Sequence, residues 1–187
     1  MSAFWKKYNN YLFFGALLII LLVPQIRFPV QVFLQRLIAF SPSVIKEEKR
    51  ETLNNYDYVL VNHAGEVVNL SAFQDKVILL NFWATWCPPC VAEMPALQEL
   101  YNDYKEKVVF LFVSNDPLGK VTQFANNKGL DLPFYAPQSN EPSELSYAAL
   151  PTTFVIDKKG GIVMRKEGSA SWNSSSVRSL LDELVEQ

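Results

Sequence analysis

The hydrophobic pattern changes style along the chain. Tyr8 to Ile26 is an unbroken uncharged stretch of 19 residues, and its apolar centre Tyr11 to Val23 (YLFFGALLIILLV) has 13. A helix over the longer stretch measures roughly 28 Å at 1.5 Å per residue, close to the ~30 Å hydrocarbon core of a bilayer. The centre alone also matches the apolar part of a cleaved secretory signal. Cleavage needs small residues directly after that centre, and PQIRFPVQVFLQRL offers none there; Ala39 and Ser41 lie some 16 residues downstream, before Pro42. With no cysteine before Cys87, a lipid-bearing cysteine is excluded as well. The pattern favours an uncleaved transmembrane helix and assigns 1–28 to a membrane anchor.

From 29 to 56 the pattern becomes amphipathic and then polar. Val30, Phe33, Leu34, Leu37 and Ile38 recur at helical spacing, with Gln31, Gln35 and Arg36 off the stripe. Such a helix either lies in the membrane interface or packs on the rest of the protein. Ser41 to Tyr56 (SPSVIKEEKRETLNNY) reads as a linker.

Residues 57–187 form the globular part, in which short apolar runs alternate with helical periodicity. Tyr58–Val61 and Glu66–Leu70 flank the turn Asn62-His63-Ala64-Gly65, a hairpin signal. Val77–Phe82 (VILLNF) and Val108–Val113 (VVFLFV) are continuous apolar runs of the kind buried on both sheet faces. Pro88–Tyr104 reads as a helix burying Met94, Leu97, Leu100 and Tyr101. Leu118–Lys128 reads as a helix ended by Gly129, and Glu144–Ala149 as a short one. Thr153–Asp157 and Gly161–Arg165 pair as a hairpin, and Ser174–Val185 is the last helix. This order predicts an α/β fold: a mixed sheet with helices on both faces.

Charge sharpens the division. Residues 1–56 carry seven Lys/Arg and three acids, whereas residues 57–187 carry ten and sixteen. The acidic globular part has no basic stripe, so a nucleic-acid backbone is not its partner. Topology is less one-sided: Lys6, Lys7 and the terminal amine favour a cytoplasmic N-terminus, while Arg27, Arg36, Lys46, Lys49 and Arg50 oppose it.

The chemistry concentrates at one junction. Both cysteines lie in Phe82-Trp83-Ala84-Thr85-Trp86-Cys87-Pro88-Pro89-Cys90, between a buried strand and a helix. A Cys-x-x-Cys pair in a strand–helix setting reads as a redox pair. A thiolate at a helix N-terminus feels the positive end of the dipole and nearby N–H donors, which lowers its pKa from ~8.5. Cys87 is then the nucleophile, and Cys90, one turn deeper, the resolving thiol that closes the disulfide and releases a partner. Metal is not the expected use, because zinc takes four ligands and His63 is the only histidine to add to the two cysteines. No cofactor is called for. A disulfide across one helical turn closes too small a loop to serve stability. His63 reads as a solvated turn residue, Trp83 as core and Trp86 as a cover of the active-site surface. Trp172 falls in a serine-rich loop with no chemistry assigned.

The chain resembles the membrane-anchored, extracytoplasmic thioredoxin-like proteins of the TlpA/ResA/CcmG (DsbE-type) family over about 57–187. The resemblance rests on Asn81-Phe82-Trp83-Ala84-Thr85-Trp86-Cys87-Pro88-Pro89-Cys90, Glu93-Met94-Pro95 and Leu150-Pro151-Thr152-Thr153-Phe154. It implies a thioredoxin fold with an inserted strand–helix segment, placed within Leu118–Ala149, and an N-terminal β-hairpin. It implies a cis Pro151 facing the cysteines, with Leu150 and Thr152 pairing with the client, and a Glu93 that carries protons for the dithiol. Bottom-up, Glu93 shares a helix face with Cys90 one turn away, and a semi-buried carboxyl there has a raised pKa. Cytoplasmic thioredoxins bury an acid where this chain has Asn81.

The expected function is that of a tethered thiol–disulfide oxidoreductase, a reductant of extracytoplasmic disulfides, with apocytochrome c a candidate client. The family implies re-reduction by a transmembrane electron donor of the CcdA/DsbD kind. The lean toward reduction comes from Pro88 and Pro89, which deny the Cys87 thiolate two N–H donors. The alternatives are a disulfide-forming oxidant, a thiol peroxidase and a redox-inert client-binding module. The peroxidase signature Pro-x-x-x-Thr-x-x-Cys is absent, with Leu80 and Ala84 at its positions. The expected location is the inner membrane, single-pass, with the domain facing the periplasm or cell exterior.

Overall fold

The structure is a computed structural model. It describes residues 2–187, with side chains from Tyr8 onward apart from those at 10, 20 and 21. Lys6, Lys7 and the terminal amine, part of the topology argument, lie outside the described side chains.

The uncharged N-terminal stretch is helical but not one helix. Helix α1 (Ser2–Leu22) stops at Val23, and α2 (Pro24–Leu37) restarts immediately. Pro24 is the cause: it disfavours the α conformation in the residue before it, and Val23 is extended (φ −93°, ψ 106°). Pro24 then starts α2, where its missing N–H costs nothing. The arms Tyr11–Ile19 and Pro24–Leu37 meet at 91°. Among the described residues no single helix is long and apolar enough to cross a membrane, although the bent pair passes that test together.

The globular part is built on seven strands: β1 (Val59–Asn62), β2 (Val67–Asn69), β3 (Val77–Phe82), β4 (Val108–Val113), β5 (Phe134–Pro137), β6 (Thr152–Ile156) and β7 (Ile162–Glu167). Their order in the sheet is β2-β1-β5-β4-β3-β6-β7. The centre β5-β4-β3 is parallel, and both flanks are antiparallel. All six residues of β3 are buried, as its unbroken apolar run predicts.

Strand alternation sorts β3 between two cores. Val77 and Leu79 join Met94, Leu97 and Leu100 of α3 (Pro88–Tyr104), Val121 of α4 (Leu118–Lys128) and Leu181 of α5 (Ser175–Glu186). Ile78, Leu80 and Phe82 face the opposite core with Leu111, Phe154 and Ile156. By the same alternation Asn81 points to the α3 side.

Three expectations need correction. The helices are not on both faces: α3, α4 and α5 all pack into the first core, and the second is covered by short 3-10 turns and the 45–58 segment. The short helix predicted over Glu144–Ala149 is only a 3-10 turn, Ser143–Leu145, that buries Leu145. Pro142 and Pro151 leave eight residues between them, the last forced toward extended geometry, too few to nucleate a stable α-helix. Ser41–Tyr56 is irregular, as a linker is, but it is not free. Ile45 N–H donates to Val163 C=O (2.8 Å), Ile162 N–H to Glu51 C=O (2.9 Å) and Leu53 N–H to Gly160 C=O (2.9 Å). It therefore runs along the open edge of β7 and shields that edge from pairing with another chain. The sequence also hides β5, a four-residue strand that β4 and β1 recruit by pairing from either side.

Candidate active site

Strand β3 delivers the chain to the N-terminus of α3, where Cys87 occupies the N-cap with extended geometry (φ −93°, ψ 103°). The turn before it is pinned by Asp116, whose Oδ2 accepts from both the N–H and the Oγ1 of Thr85 at 2.8 Å. Burial opposes the Asp116 charge, but those bonds and the Lys120 ammonium at 2.9 Å outweigh it and hold the carboxyl below its usual range. Trp83 is buried in the core against Phe124 and Phe134, and Trp86 stands 63% exposed beside the cysteines.

Cys87 and Cys90 form a disulfide and are both buried. Pro88 and Pro89 open α3 and carry no N–H, so the first helical N–H aimed at Cys87 Sγ is that of Cys90, at 3.2 Å. One donor thus remains where a proline-free first turn offers more. The Leu150–Pro151 bond is cis. That loop is closed by Thr152 Oγ1–H donating to Ala149 C=O (2.7 Å) and Gly168 N–H donating to Pro151 C=O (2.9 Å). Register ties it to the dithiol strand, since Thr152 pairs with Phe82 and Thr153 with Asn81. Leu150 is half-buried between the two cores.

Glu93 is 3% exposed and held by three donors. Asn81 Nδ2–H donates to Oε1 (2.9 Å), while Trp172 Nε1–H (2.9 Å) and Ala170 N–H (3.2 Å) donate to Oε2. Burial raises its pKa to about 8 against the lowering pull of those bonds and of Lys166. A carboxyl that changes charge near neutral pH suits the traffic of protons to and from a dithiol. Asn81 Nδ2 also donates to Thr153 Oγ1 (2.7 Å), so one amide links Glu93 to the strand that follows the cis-proline loop. Asn81 Oδ1 has no partner within the protein. A cavity of about 230 Å³, lined by Glu93, Ala92, Ala170, Ser169, Arg36 and Ala39, opens from this carboxyl under the end of α2.

Sequence reasoning placed Cys87, Cys90 and Glu93 together but missed Trp172, which is fully buried and bonded to the Glu93 carboxylate 79 positions earlier. Its one sequence signal was a tryptophan in an otherwise serine-rich loop, a costly residue to leave without a purpose. Trp172→Phe is expected to lower stability by about 1–3 kcal/mol more at pH 9 than at pH 6, because the ionised carboxylate then loses a buried donor. Urea denaturation at both pH values checks this. His63 is exposed in its turn, and no group of metal-ligating residues exists among the described residues.

A helix-capping dithiol, a cis-proline loop and a central mixed sheet define a thioredoxin-like protein. A family model described as Redoxin matches residues 42–182, and the chain belongs to that family. It is 38% identical over 109 residues to thiol-disulfide oxidoreductase ResA of Geobacillus kaustophilus, covering 57% of this chain and 63% of that one. To thioredoxin-like protein YneN of Bacillus subtilis it is 34% identical, over 57% of this chain and 65% of the relative. These matches span just under two thirds of the relatives' own lengths. A structure described as a thiol:disulfide interchange protein DsbE, from Chlorobium tepidum, superposes with TM-score 0.61 at 22% identity, over 72% of this chain and 98% of that one. The exposed lipoprotein thioredoxin Etrx1 of Streptococcus pneumoniae gives TM-score 0.54 at 27% identity, over 68% and 99%. Within the family, the protein is of the TlpA/ResA/CcmG type.

Proposed function

We propose that this chain is a membrane-tethered thiol–disulfide oxidoreductase that reduces disulfides of proteins outside the cytoplasm. The observation that carries the reading is the Cys87–Cys90 pair at the α3 N-terminus with a buried Glu93, its pKa raised to about 8, on the same helix. In the reaction, the Cys87 thiolate attacks one sulfur of a client disulfide and the second client sulfur leaves as a thiolate. Cys90 then attacks Cys87 Sγ, releasing the first client sulfur and closing Cys87–Cys90. Two electrons pass to the client, and its two thiolates take up protons. Glu93 supplies or accepts a proton as the dithiol opens and closes. Leu150, Pro151 and Thr152 offer backbone to the bound client, and Trp86, Pro88 and Pro89 shape the surface it meets.

The tether is the uncharged stretch of α1 with the start of α2, supported by the exposed side chains of Leu12, Phe13, Phe14, Leu17, Leu18 and Ile19 and by the bent pair of helices together having the length and composition of a span. Disulfide-exchange chemistry makes the periplasm or cell exterior the sensible side for the domain. A transmembrane carrier of the CcdA/DsbD kind returns the two electrons, and apocytochrome c is a candidate client. The strand–helix insertion is assigned to Leu118–Ala149, the stretch that holds α4 and β5.

The test is the reduction potential of the Cys87–Cys90 couple in the full chain, equilibrated with dithiothreitol or glutathione. A value near or below that of thioredoxin, about −270 mV, supports a reductant, whereas one near −120 mV makes the protein an oxidant. The absence of a reversible couple leaves a redox-inert binding module.

A further inference from the structure

Helix α2 packs the wrong way round for a helix in water. The side that meets α3 carries Phe28, Val32, Gln35 and, just beyond the helix end, Ala39, all half-buried. Arg36 belongs to this side too, its Nε–H donating to Ala92 C=O (3.3 Å), and Ser169 Oγ–H donates to Gln35 Oε1 (3.3 Å). Most of the apolar stripe read from the sequence is turned outward: Val30 is half-buried, and Phe33 stands at the flank, where it also borders a groove with Phe28, Val32, Val91 and Met94. Phe33 is 61% exposed, Leu34 52%, Leu37 68% and Ile38 60%, with Phe40 beyond them at 80%. At 3.6 residues per turn, the face of Phe28, Val32 and Gln35 lies almost opposite Leu37 and roughly 130° from Leu34. A helix that already packs Phe28 and Val32 on the protein and still leaves Leu34, Leu37 and Ile38 outside has a second apolar contact to make.

The geometry points to α2 as a two-sided clamp whose outer face lies in the interfacial region of a phospholipid bilayer, fixing the orientation of the domain on the membrane. This rests on the reading of α1 as the anchor. Only Val23 separates the two helices, and they meet at 91°, so an α1 that crosses a bilayer lays α2 along its surface. The medium that receives the exposed apolar side chains of α1 is continuous with the outer face of α2. Arg27 stands exposed at the bend, where a cation reaches lipid phosphates. The inner face of α2 is fixed to α3, the helix that begins at Cys87, so a helix held flat on the membrane holds the dithiol helix with it.

The experiment uses the wild-type full chain in nanodiscs of phosphatidylcholine and phosphatidylglycerol doped with a diazirine-bearing phospholipid, photolysed and mapped by mass spectrometry. Adducts are expected in α1 and on Phe33, Leu34, Leu37 or Ile38, with none on Phe28, Val32 or residues 57–187. The triple variant Phe33→Gln/Leu34→Gln/Leu37→Gln is expected to lose the α2 adducts, keep those in α1 and keep its reduction potential. Adducts confined to α1 overturn the clamp and leave the anchor standing. Adducts in neither helix overturn both. An α2 free of lipid adducts, together with α2-to-α2 cross-links between copies when photo-leucine replaces Leu34, also overturns the clamp, by showing a protein cover instead of lipid.

Discussion

A Cys87→Ser protein will reduce no disulfide: insulin turnover with dithiothreitol should fall to the uncatalysed rate. Cys87 is the sulfur at the helix N-cap, on the side of Trp86 and the cis-Pro151 loop, whereas Cys90 is fully buried one turn inside. The two substitutions therefore fail differently. Cys90→Ser retains the attacking thiolate but lacks the thiol that releases the client, so it should accumulate a mixed disulfide through Cys87. Non-reducing electrophoresis separates the outcomes: a trapped client with Cys90→Ser, none with Cys87→Ser. A trapped client with Cys87→Ser would reverse the assignment of the two sulfurs. If Cys87→Ser instead still complements a strain lacking the protein, the redox reading itself falls.

The second large effect belongs to Glu93. Its carboxyl titrates at about 8 in the folded protein, against 4.5 for the free group, with burial the main cause. The folded state therefore holds a proton that the unfolded state has already lost between those values, so stability must fall as pH rises through that window. The group's favourable contribution is complete below about pH 4.5 and exhausted above about pH 8, a span of a few kcal/mol. Glu93→Gln cannot ionise and should flatten this slope, which denaturation midpoints between pH 5 and pH 9 will show. In catalysis the same substitution should slow client reduction by roughly 10²–10⁴-fold, the usual worth of a positioned proton carrier. It should also remove the inflection near pH 8 from the rate profile. A slowed enzyme that kept the inflection would mean that Glu93 supports the fold and carries no proton.

The sequence made the dithiol legible because every signal there is local. An apolar run, two prolines and a cysteine three residues from its partner specify strand, helix start and redox pair within a dozen positions. Glu93 was legible for the same reason, lying one turn beyond Cys90. Its environment was not. Trp172 and Ala170 reach it from the far end of the chain, and Asn81 from the strand before, through contacts that only the folded sheet creates. Strand β5 had no local signal because its neighbours impose it, and the resemblance placed a strand only somewhere within Leu118–Ala149. For α2 the periodicity was read correctly and the cover of its stripe was left open, since periodicity reports an apolar stripe and is silent on what covers it. The polar stretch 41–56 looked like a linker because its few apolar side chains, Ile45 and Leu53 among them, show no period, while backbone hydrogen bonds fix it along β7.

That last segment sets how far the dithiol can travel. Phe40 C=O already accepts from Ser171 N–H at 3.0 Å, only three residues after α2 ends at Leu37. Three extended residues reach about 10 Å, so almost no slack lies between α2 and the body of the domain. A thioredoxin on a long flexible tail meets partners throughout a wide hemisphere, each at low effective concentration. With α2 lying on a bilayer, as proposed above, this one would be confined to a thin layer. Disulfides presented within that layer meet Cys87 at high local concentration, and those beyond it are out of range whatever their intrinsic reactivity. On that placement, selection among clients would be set largely by altitude above the lipid, before any side chain is read.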